Sequence, residues 1–341
     1  MPACRLWGEG KGARTGARLQ PYAPGHDAVG MWLNEWLTTS VEARNRPRTV
    51  SSYRETVDRY IDPAIGRIAL KRLEPEAVDA MLRRLTARGL SPTTVRYAHA
   101  ILRIALGRAV KSGRVIRNVA SLVEPPARST PERLPLTADQ ARAFLAAVDK
   151  DRLAALYKLA ISTGMRQGEL LALRWQDVDL DGGRVTIRHT LRLGTRELAE
   201  PKTERARRTL RLSAETASGL REHRRRQLQD RLAAGRRWID GDFVFATGNG
   251  TPLDSRNVTK AFQRNLANAG LPHQRFHDLR HACATLLLED GEDLGVVSRI
   301  LGHSQIATTA DVYAHLTPAM LERSAARMDS ILARRPDAAS G

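Results

Sequence analysis

The sequence lacks features that several classes of protein require. Its two cysteines, Cys4 and Cys283, are too few for a disulfide framework, and no Cys or His spacing resembles a zinc site. No apolar run approaches the ~20 residues of a membrane helix. The basic segment 1–25 also lacks the apolar block of a signal peptide. We therefore expect a protein of the reducing cytoplasm that does not enter a membrane.

Lysine is scarce, but positive charge is abundant. The 341 residues include 55 basic and 37 acidic side chains, giving a formal net charge of +18, and only seven of the basic residues are lysine. A codon bias explains much of the preference for arginine over lysine, but it does not explain the net charge. Such an excess favours a polyanionic partner, with nucleic acid as the first candidate.

The chain is long enough for two domains. Residues 1–27 and 334–341 show no periodicity and predict a disordered basic leader and a disordered tail. Residues 28–123 show helical spacing and predict an all-α domain. Its helices include 50–61, closed at the turn of Asp62 and Pro63, then 75–88, and a helix that begins at Ser91. The proline-rich stretch 124–134 predicts a linker.

Residues 135–333 predict a second domain of mixed composition. Thr137 and Gln140 have the spacing of a capping box and open a helix. Alternating residues then predict a hairpin of strands 177–180 and 185–191, followed by a strand over 208–212. The remainder reads as helical. The fold class we predict is mainly α, with a small antiparallel β-sheet in an α+β second domain and an all-α N-terminal domain.

Three separated motifs in the second domain contain residues that could bind an anion or take part in catalysis. The first, TGMRQGELLALRW, predicts Arg166 at a helix N-terminus, an arrangement that suits an anion such as phosphate. By itself the motif is better explained by a surface arginine paired to Glu169. The second, HDLRH, puts the base His277 three residues before Arg280. His277 and His281 have the spacing of metal ligands, but the glutamate of the zinc-protease pattern is absent.

The third motif contains LGHS, with His303, and is followed ten residues later by Tyr313. A tyrosine oxygen can attack a phosphodiester and form a covalent phosphotyrosyl bond. Two arginines can stabilise the negative charge of the transition state, and the leaving oxygen needs a general acid. Lys202, on a predicted turn between two strands, is the candidate for that acid; the alternative is a solvated turn residue.

Taken in order, this set resembles the tyrosine recombinases, the phage integrase family, over roughly residues 28–333. The resemblance implies that Tyr313 is the nucleophile of a 3′-phosphotyrosyl intermediate and that Lys202 protonates the 5′ oxygen. It implies that Arg166, Arg280 and His303 bind the phosphate. It further implies that His277 accepts the tyrosine proton and that Glu169 supports Arg166 and His277. The full expected set is catalytic Arg166, Lys202, His277, Arg280, His303 and Tyr313, with Glu169 and His281 in support.

The same resemblance has implications for the rest of the molecule. Residues 28–123 resemble the core-binding (SAM-like) domain, in which exposed arginines would contact DNA phosphates. The final helix, about 317–333, would dock on a neighbouring subunit. Expected partners are double-stranded DNA attachment sites and a homotetramer on DNA; an excisionase or host DNA-bending protein is left open. No metal or other cofactor is implied. The DNA-contact candidates are Arg44, Arg46, Arg48, Arg96 and Arg103.

Several alternatives remain at this stage. The expected reaction is the integration, and in one version also the excision, of a mobile element. A type IB topoisomerase would share the chemistry but relax DNA, and a DNA-binding protein could keep this fold without catalysis. Many integrases also begin with an arm-binding domain. Here the short segment before residue 28 lacks strand patterning, so arm-site recognition is either missing or truncated.

Overall fold

The computed structural model describes residues 27–127, 134–192, 197–200, 207–302 and 328. The chain forms two compact units, which divide between Glu132 and Arg133. Most of the predicted leader and linker, all of the tail, and the proposed docking helix apart from Met328 lie outside these residues. No helix in the described segments is long and apolar enough to cross a membrane.

The first unit is entirely helical between residues 27 and 127. Its core contains the apolar faces of four helices, and the indole Nε1 of Trp32 donates a hydrogen bond to the buried carbonyl of Ala105 at 3.1 Å. Short 3₁₀ turns connect some of the elements. The α-helices are α1 (Val29–Trp36), α2 (Pro47–Thr56), α3 (Asp62–Ile65), α4 (Pro75–Ala87) and α5 (Pro92–Lys111).

Local sequence signals determine the ends of two of these helices. Helix α4 begins at Pro75 and stops before Gly89, whose φ of +78° is the left-handed conformation that glycine adopts most easily. The hydroxyl of Ser91 accepts a hydrogen bond from the backbone N–H of Thr94, and Pro92 occupies the first turn of α5. The predicted positions of both helices are confirmed.

The prediction for the helix over 50–61 is wrong at both ends. Helix α2 begins at Pro47, passes through a π-helical turn (Val57–Ile61) and continues directly into α3. Pro63 does not close the helix because it lies in the first turn of α3, where a backbone N–H is not needed.

The described residues of the second unit form seven further α-helices and five short strands. The predicted mainly-α fold class with a small antiparallel sheet is confirmed. The helices are α6 (Ala138–Ala147), α7 (Ala154–Thr163), α8 (Gln167–Leu171), α9 (Ala214–Ala234), α10 (Ser255–Asn268), α11 (Asp278–Glu289) and α12 (Leu294–Leu301). The strands of the described residues are β1 (Val178–Asp179), β2 (Arg184–Ile187), β3 (Thr190–Leu191), β4 (Leu198–Ala199) and β5 (Arg208–Arg211).

The strands form two separate antiparallel sheets. One has the order β1-β2-β5, with Val185 opposite Leu210 and Ile187 opposite Arg208, and the other pairs β3 with β4. The predicted single strand over 185–191 is therefore wrong. Strand β2 ends at Ile187, opposite the first residue of its partner β5, and Thr190 and Leu191 pair with β4 in the other sheet instead.

An aromatic cluster forms the centre of the second unit. Phe144, Tyr157, Phe262 and Phe276 contact one another with ring centroids 5.3–6.4 Å apart. Helix α6 begins with the capping box predicted for Thr137, and this prediction is confirmed. The cluster gives α6, α7 and α10 a common core, against which α11 also packs.

Gly168 in α8 lies directly against β3. A Cβ atom at this position would be 2.6 Å from Thr190 Oγ1 and 2.9 Å from the carbonyl oxygen of Leu191. The second neighbour is backbone, so it cannot rotate away. Glycine therefore sets the distance between α8 and the strand.

We predict that Gly168→Ala lowers the free energy of unfolding by about 1–3 kcal/mol, because the added methyl overpacks this contact. Gly219→Ala is the matched helical control, since its nearest neighbour would be Lys158 Cδ at 3.7 Å. The control should gain up to about 1 kcal/mol from better helix propensity. Urea unfolding of both variants checks this, and equal effects would contradict it.

Candidate active site

The corner between α7 and α8 holds Arg166. Helix α7 ends at Gly164 with a φ of +61°, and a Cβ there would be 2.5 Å from Leu301 Cδ2, so both conformation and space favour glycine. The backbone N–H of Arg166 donates to Glu169 Oε2 at 2.9 Å, and its Nη1 donates to Oε1 at 2.9 Å. One carboxylate thus fixes both the backbone and the side chain of Arg166.

Glu169 is a buried charge that is held between two arginines. Its side chain is 3% exposed, and Arg208 Nη2 lies 3.1 Å from Oε2. Burial alone would raise the pKa of this carboxyl. The charge and hydrogen bonds of Arg208, and then those of Arg166, outweigh burial and lower the pKa. Glu169 therefore stays ionised at neutral pH.

The second residue that Glu169 contacts differs from the expected one. The resemblance implied that Glu169 supports Arg166 and His277, but its partner beside Arg166 is Arg208. The sequence analysis missed Arg208. A signal existed: on β5 it lies two residues before the buried Leu210, and therefore on the same face of the strand.

Arg280 projects inward from the first turn of α11. It is 4% exposed, and it donates from Nη1 to the carbonyl of Gly164 at 2.8 Å and from Nη2 to that of Leu301 at 2.6 Å. Burial, and then the charge of Arg166, lowers its pKa. A guanidinium nevertheless stays protonated in the neutral range, so Arg280 adds a buried positive charge.

The end of α12 brings the three arginines together. Three consecutive carbonyls, which the helix itself leaves unpaired, accept guanidinium donors. Ile300 accepts from Arg208 Nε at 2.6 Å, Leu301 from Arg280, and Gly302 from Arg166 Nη2 at 3.4 Å. The partial negative charge of a helix C-terminus favours this arrangement. The next residue along the chain is His303.

His277 and His281 lie beside the arginines in an edge-to-face contact, with ring centroids 5.1 Å apart. His277 keeps access to solvent, yet its pKa is lowered to about 4, first by loss of hydration and then by His281 and Arg280. The pKa of His281 is also lowered, mainly by burial. Both imidazoles are therefore neutral at pH 7, and His277 can accept a proton.

The described residues thus bring together five members of the expected set: Arg166, Glu169, His277, Arg280 and His281. Lys202, His303 and Tyr313 lie outside the described residues. Within the described ranges no group of three or more His, Cys, Asp or Glu side chains could hold a metal ion.

The candidate DNA contacts lie in the first unit. Arg44, Arg46 and Arg48 are exposed on the turn before α2 and at its start, and Arg103 is exposed on α5. Arg96 differs from the others because it is half-buried and donates from Nη1 to the carbonyl of Pro126 at 2.8 Å.

Family comparisons match both units. The model of the phage integrase family matches residues 135–320, and that of the phage integrase central domain matches residues 30–125. An integrase of Streptomyces ambofaciens is 33% identical over 328 residues, which cover 92% of this chain and 83% of the relative. The chain belongs to the phage integrase family, the tyrosine recombinases. It is a site-specific DNA recombinase.

Other members of the tyrosine recombinases share this architecture. A XerC-like tyrosine recombinase of Caldanaerobacter subterraneus subsp. tengcongensis is 29% identical over 311 residues, covering 85% of this chain and 80% of the relative. The structure of the Tn1549 transposon integrase in complex with circular intermediate DNA has a TM-score of 0.75 at 21% identity, covering 87% of this chain and 99% of that one. A lambda integrase tetramer bound to a Holliday junction has a TM-score of 0.61 at 21% identity, covering 82% and 78%. These structures establish the fold that the recombinase shares with them.

We predict that the His277 imidazole of the DNA-free recombinase titrates near pH 4 and stays neutral at pH 6. Because the folded-state pKa is depressed, protonation opposes folding, and stability falls as pH drops from about 6.5 toward 4. NMR of the imidazole nitrogens, assigned with His277→Gln, measures this midpoint.

His281→Gln should raise the midpoint, since His281 is a source of its depression, while the exposed His273→Gln should leave it unchanged. An ordinary midpoint near 6.5 in the intact recombinase would contradict the lowered pKa of His277.

Proposed function

We propose that this recombinase cleaves DNA by attack of Tyr313 on a phosphodiester bound by Arg166 and Arg280. The observation that supports the proposal is the buried cluster in which three guanidiniums face the single carboxylate of Glu169. The cluster keeps a surplus of positive charge, which favours an anion. The side chain of Arg166, at 38% exposed, is the member that a phosphate reaches first.

The proposed step exchanges one ester for another. The Oη–P bond forms at Tyr313 as the bond from phosphorus to the 5′ oxygen breaks, leaving a 3′-phosphotyrosyl link. His277 accepts the tyrosine proton, Lys202 gives a proton to the 5′ oxygen, and His303 donates a hydrogen bond to the phosphate. The 5′-hydroxyl of another strand then attacks the phosphotyrosyl bond and completes strand exchange.

We assign DNA positioning to the exposed basic residues of the first unit. On α5, Arg103, Arg108 and Lys111 are exposed, and Arg108 and Lys111, three residues apart, are neighbours on one face of the helix. Phosphate contacts of this kind supply salt-dependent affinity and register rather than base recognition. Arg44, Arg46 and Arg48 extend the proposed surface. Arg96 is a weaker candidate because it is held by Pro126.

The biological setting is part of the same proposal. We assign the recombinase to the integration of a mobile element, acting as a homotetramer on paired DNA sites in the cytoplasmic nucleoid. The lambda integrase tetramer on a Holliday junction supports this assembly by analogy. An excisionase or host DNA-bending protein would add control of direction.

We predict that wild-type protein forms a covalent adduct with a nicked suicide duplex and that Tyr313→Phe does not, because only the phenolic oxygen can form the ester. The duplexes would span the two ends of the DNA segment that carries the gene. A denaturing gel detects the adduct.

Tyr60→Phe, a partly buried tyrosine of the first unit, is the matched control and should form the adduct at the wild-type level. An adduct that persists in Tyr313→Phe would refute the assignment of the nucleophile.

We also predict that Arg103→Ala weakens DNA binding and lowers the slope of log K against log salt by about 1, as loss of one phosphate contact requires. Arg83→Ala is the control, because Arg83 is exposed on α4 and already pairs with Asp79. Fluorescence anisotropy at several salt concentrations measures both slopes. An unchanged slope for Arg103→Ala would remove this residue from the proposed surface.

A further inference from the structure

Arg208 is the charged group of the active site that has no role in the proposed chemistry. Its side chain is 8% exposed, and it lies at the start of β5, opposite Ile187 of β2. Its guanidinium contacts both oxygens of Glu169 and the carbonyl of Ile300, the latter at 2.6 Å from Nε. A side chain this buried and this engaged is not placed to bind DNA itself.

The contacts of Arg208 connect two parts of the site that are distant in sequence. One end of the connection is Glu169, which fixes the backbone and guanidinium of Arg166. The other end is the last turn of α12, two residues before His303 and the segment that leads to Tyr313. Movement of Arg208 would therefore affect both Arg166 and the end of α12.

The charge of Arg208 also controls the charge of Glu169. The charged groups that face this carboxylate are Arg166 at the start of α8, Arg208 from β5 and Arg280 from α11. Arg208 makes the largest favourable contribution to the depression of the Glu169 pKa, opposing burial. Without it, the pKa of Glu169 would rise, and protonation would release Arg166 at a higher pH.

We propose that Arg208 is a positioning residue for strand cleavage, which holds Glu169 against Arg166 and ties both to the carbonyl end of α12. This proposal rests on the proposed function, since it requires Arg166 to bind the scissile phosphate. It adds a residue that acts through Glu169 and never touches DNA.

The test compares Arg208→Met and Arg208→Lys with Arg211→Met in the full-length protein. Arg211 lies on the same strand but is exposed, and it donates to the carbonyl of Gly182. With the suicide duplex, we expect Arg208→Met to slow adduct formation by about 10- to 100-fold, the size of effect seen when a partner that orients a metal ligand is removed. DNA affinity should stay within about twofold, because Arg208 lies outside the binding surface.

The pH profile separates positioning from a structural role. In Arg208→Met the acidic limb of the cleavage rate should move to higher pH, because Glu169 becomes easier to protonate. Arg208→Lys keeps the charge but not the two-pronged geometry, so its limb should stay near that of the wild type at a reduced rate. If Arg208→Met does not fold, Arg208→Lys decides the question, and a wild-type cleavage rate in that variant would overturn the proposal.

A double-variant cycle tests whether Arg208 acts through Glu169. Adding Arg208→Met to Glu169→Gln should reduce the rate little further, since the residue through which Arg208 acts has already lost its charge. The proposal would be overturned if the two substitutions reduced the cleavage rate multiplicatively. It would also be overturned if Arg208→Met kept the wild-type rate and the wild-type acidic limb. In either case, an adduct formed by the wild type would still support the proposed cleavage chemistry. Failure of the wild type to form any adduct would overturn both.

Discussion

The buried carboxylate of Glu169 is the constraint around which the active site is arranged. A carboxylate removed from water must be paired and hydrogen-bonded, or it becomes protonated. Arg166 comes from the same helix end, whereas Arg208 comes from a strand about forty residues later. Because Arg280 adds a third positive charge nearby, the cluster as a whole remains cationic. The arginines that neutralise the buried carboxylate of Glu169 therefore also favour the binding of a second anion.

The carbonyl end of α12 orients the three guanidiniums of this cluster. Helix ends leave carbonyls without partners, and here three guanidiniums satisfy Ile300, Leu301 and Gly302 in turn. Gly302 adopts the left-handed conformation with a φ of +67°, which ends the helix at this point. The three arginines are thus joined by hydrogen bonds to the residues at the end of α12. Preorganised donors of this kind require little rearrangement when charge develops on a phosphate.

What could be predicted from the sequence was mostly local. The caps at Ser91 and Thr137 each depend on a residue three positions away, and both form as the pattern indicates. The pairing of Arg166 with Glu169 is equally local. Contacts between residues that are far apart in the sequence could not be predicted from such local patterns. The break after Ile187 depends on which later strands pair with β2 and β3. Arg208 is one of 48 arginines, and its burial depends on contacts with Glu169 of α8 and Ile300 of α12. Lys202, His303 and Tyr313 remain predictions of the motif pattern.

The structure of the Tyr313→Phe variant on an uncleaved duplex would test most directly whether this cluster is the phosphate site. The decisive quantities are the distances from the guanidinium nitrogens of Arg166 and Arg280 to the non-bridging oxygens of one phosphate. We expect both arginines to lie about 2.7–2.9 Å from the same phosphate, as in charge-assisted hydrogen bonds, while Arg208 keeps its contacts with Glu169 and Ile300. A bound duplex whose phosphates all lie beyond hydrogen-bond reach of both arginines would contradict the assignment of this cluster to catalysis.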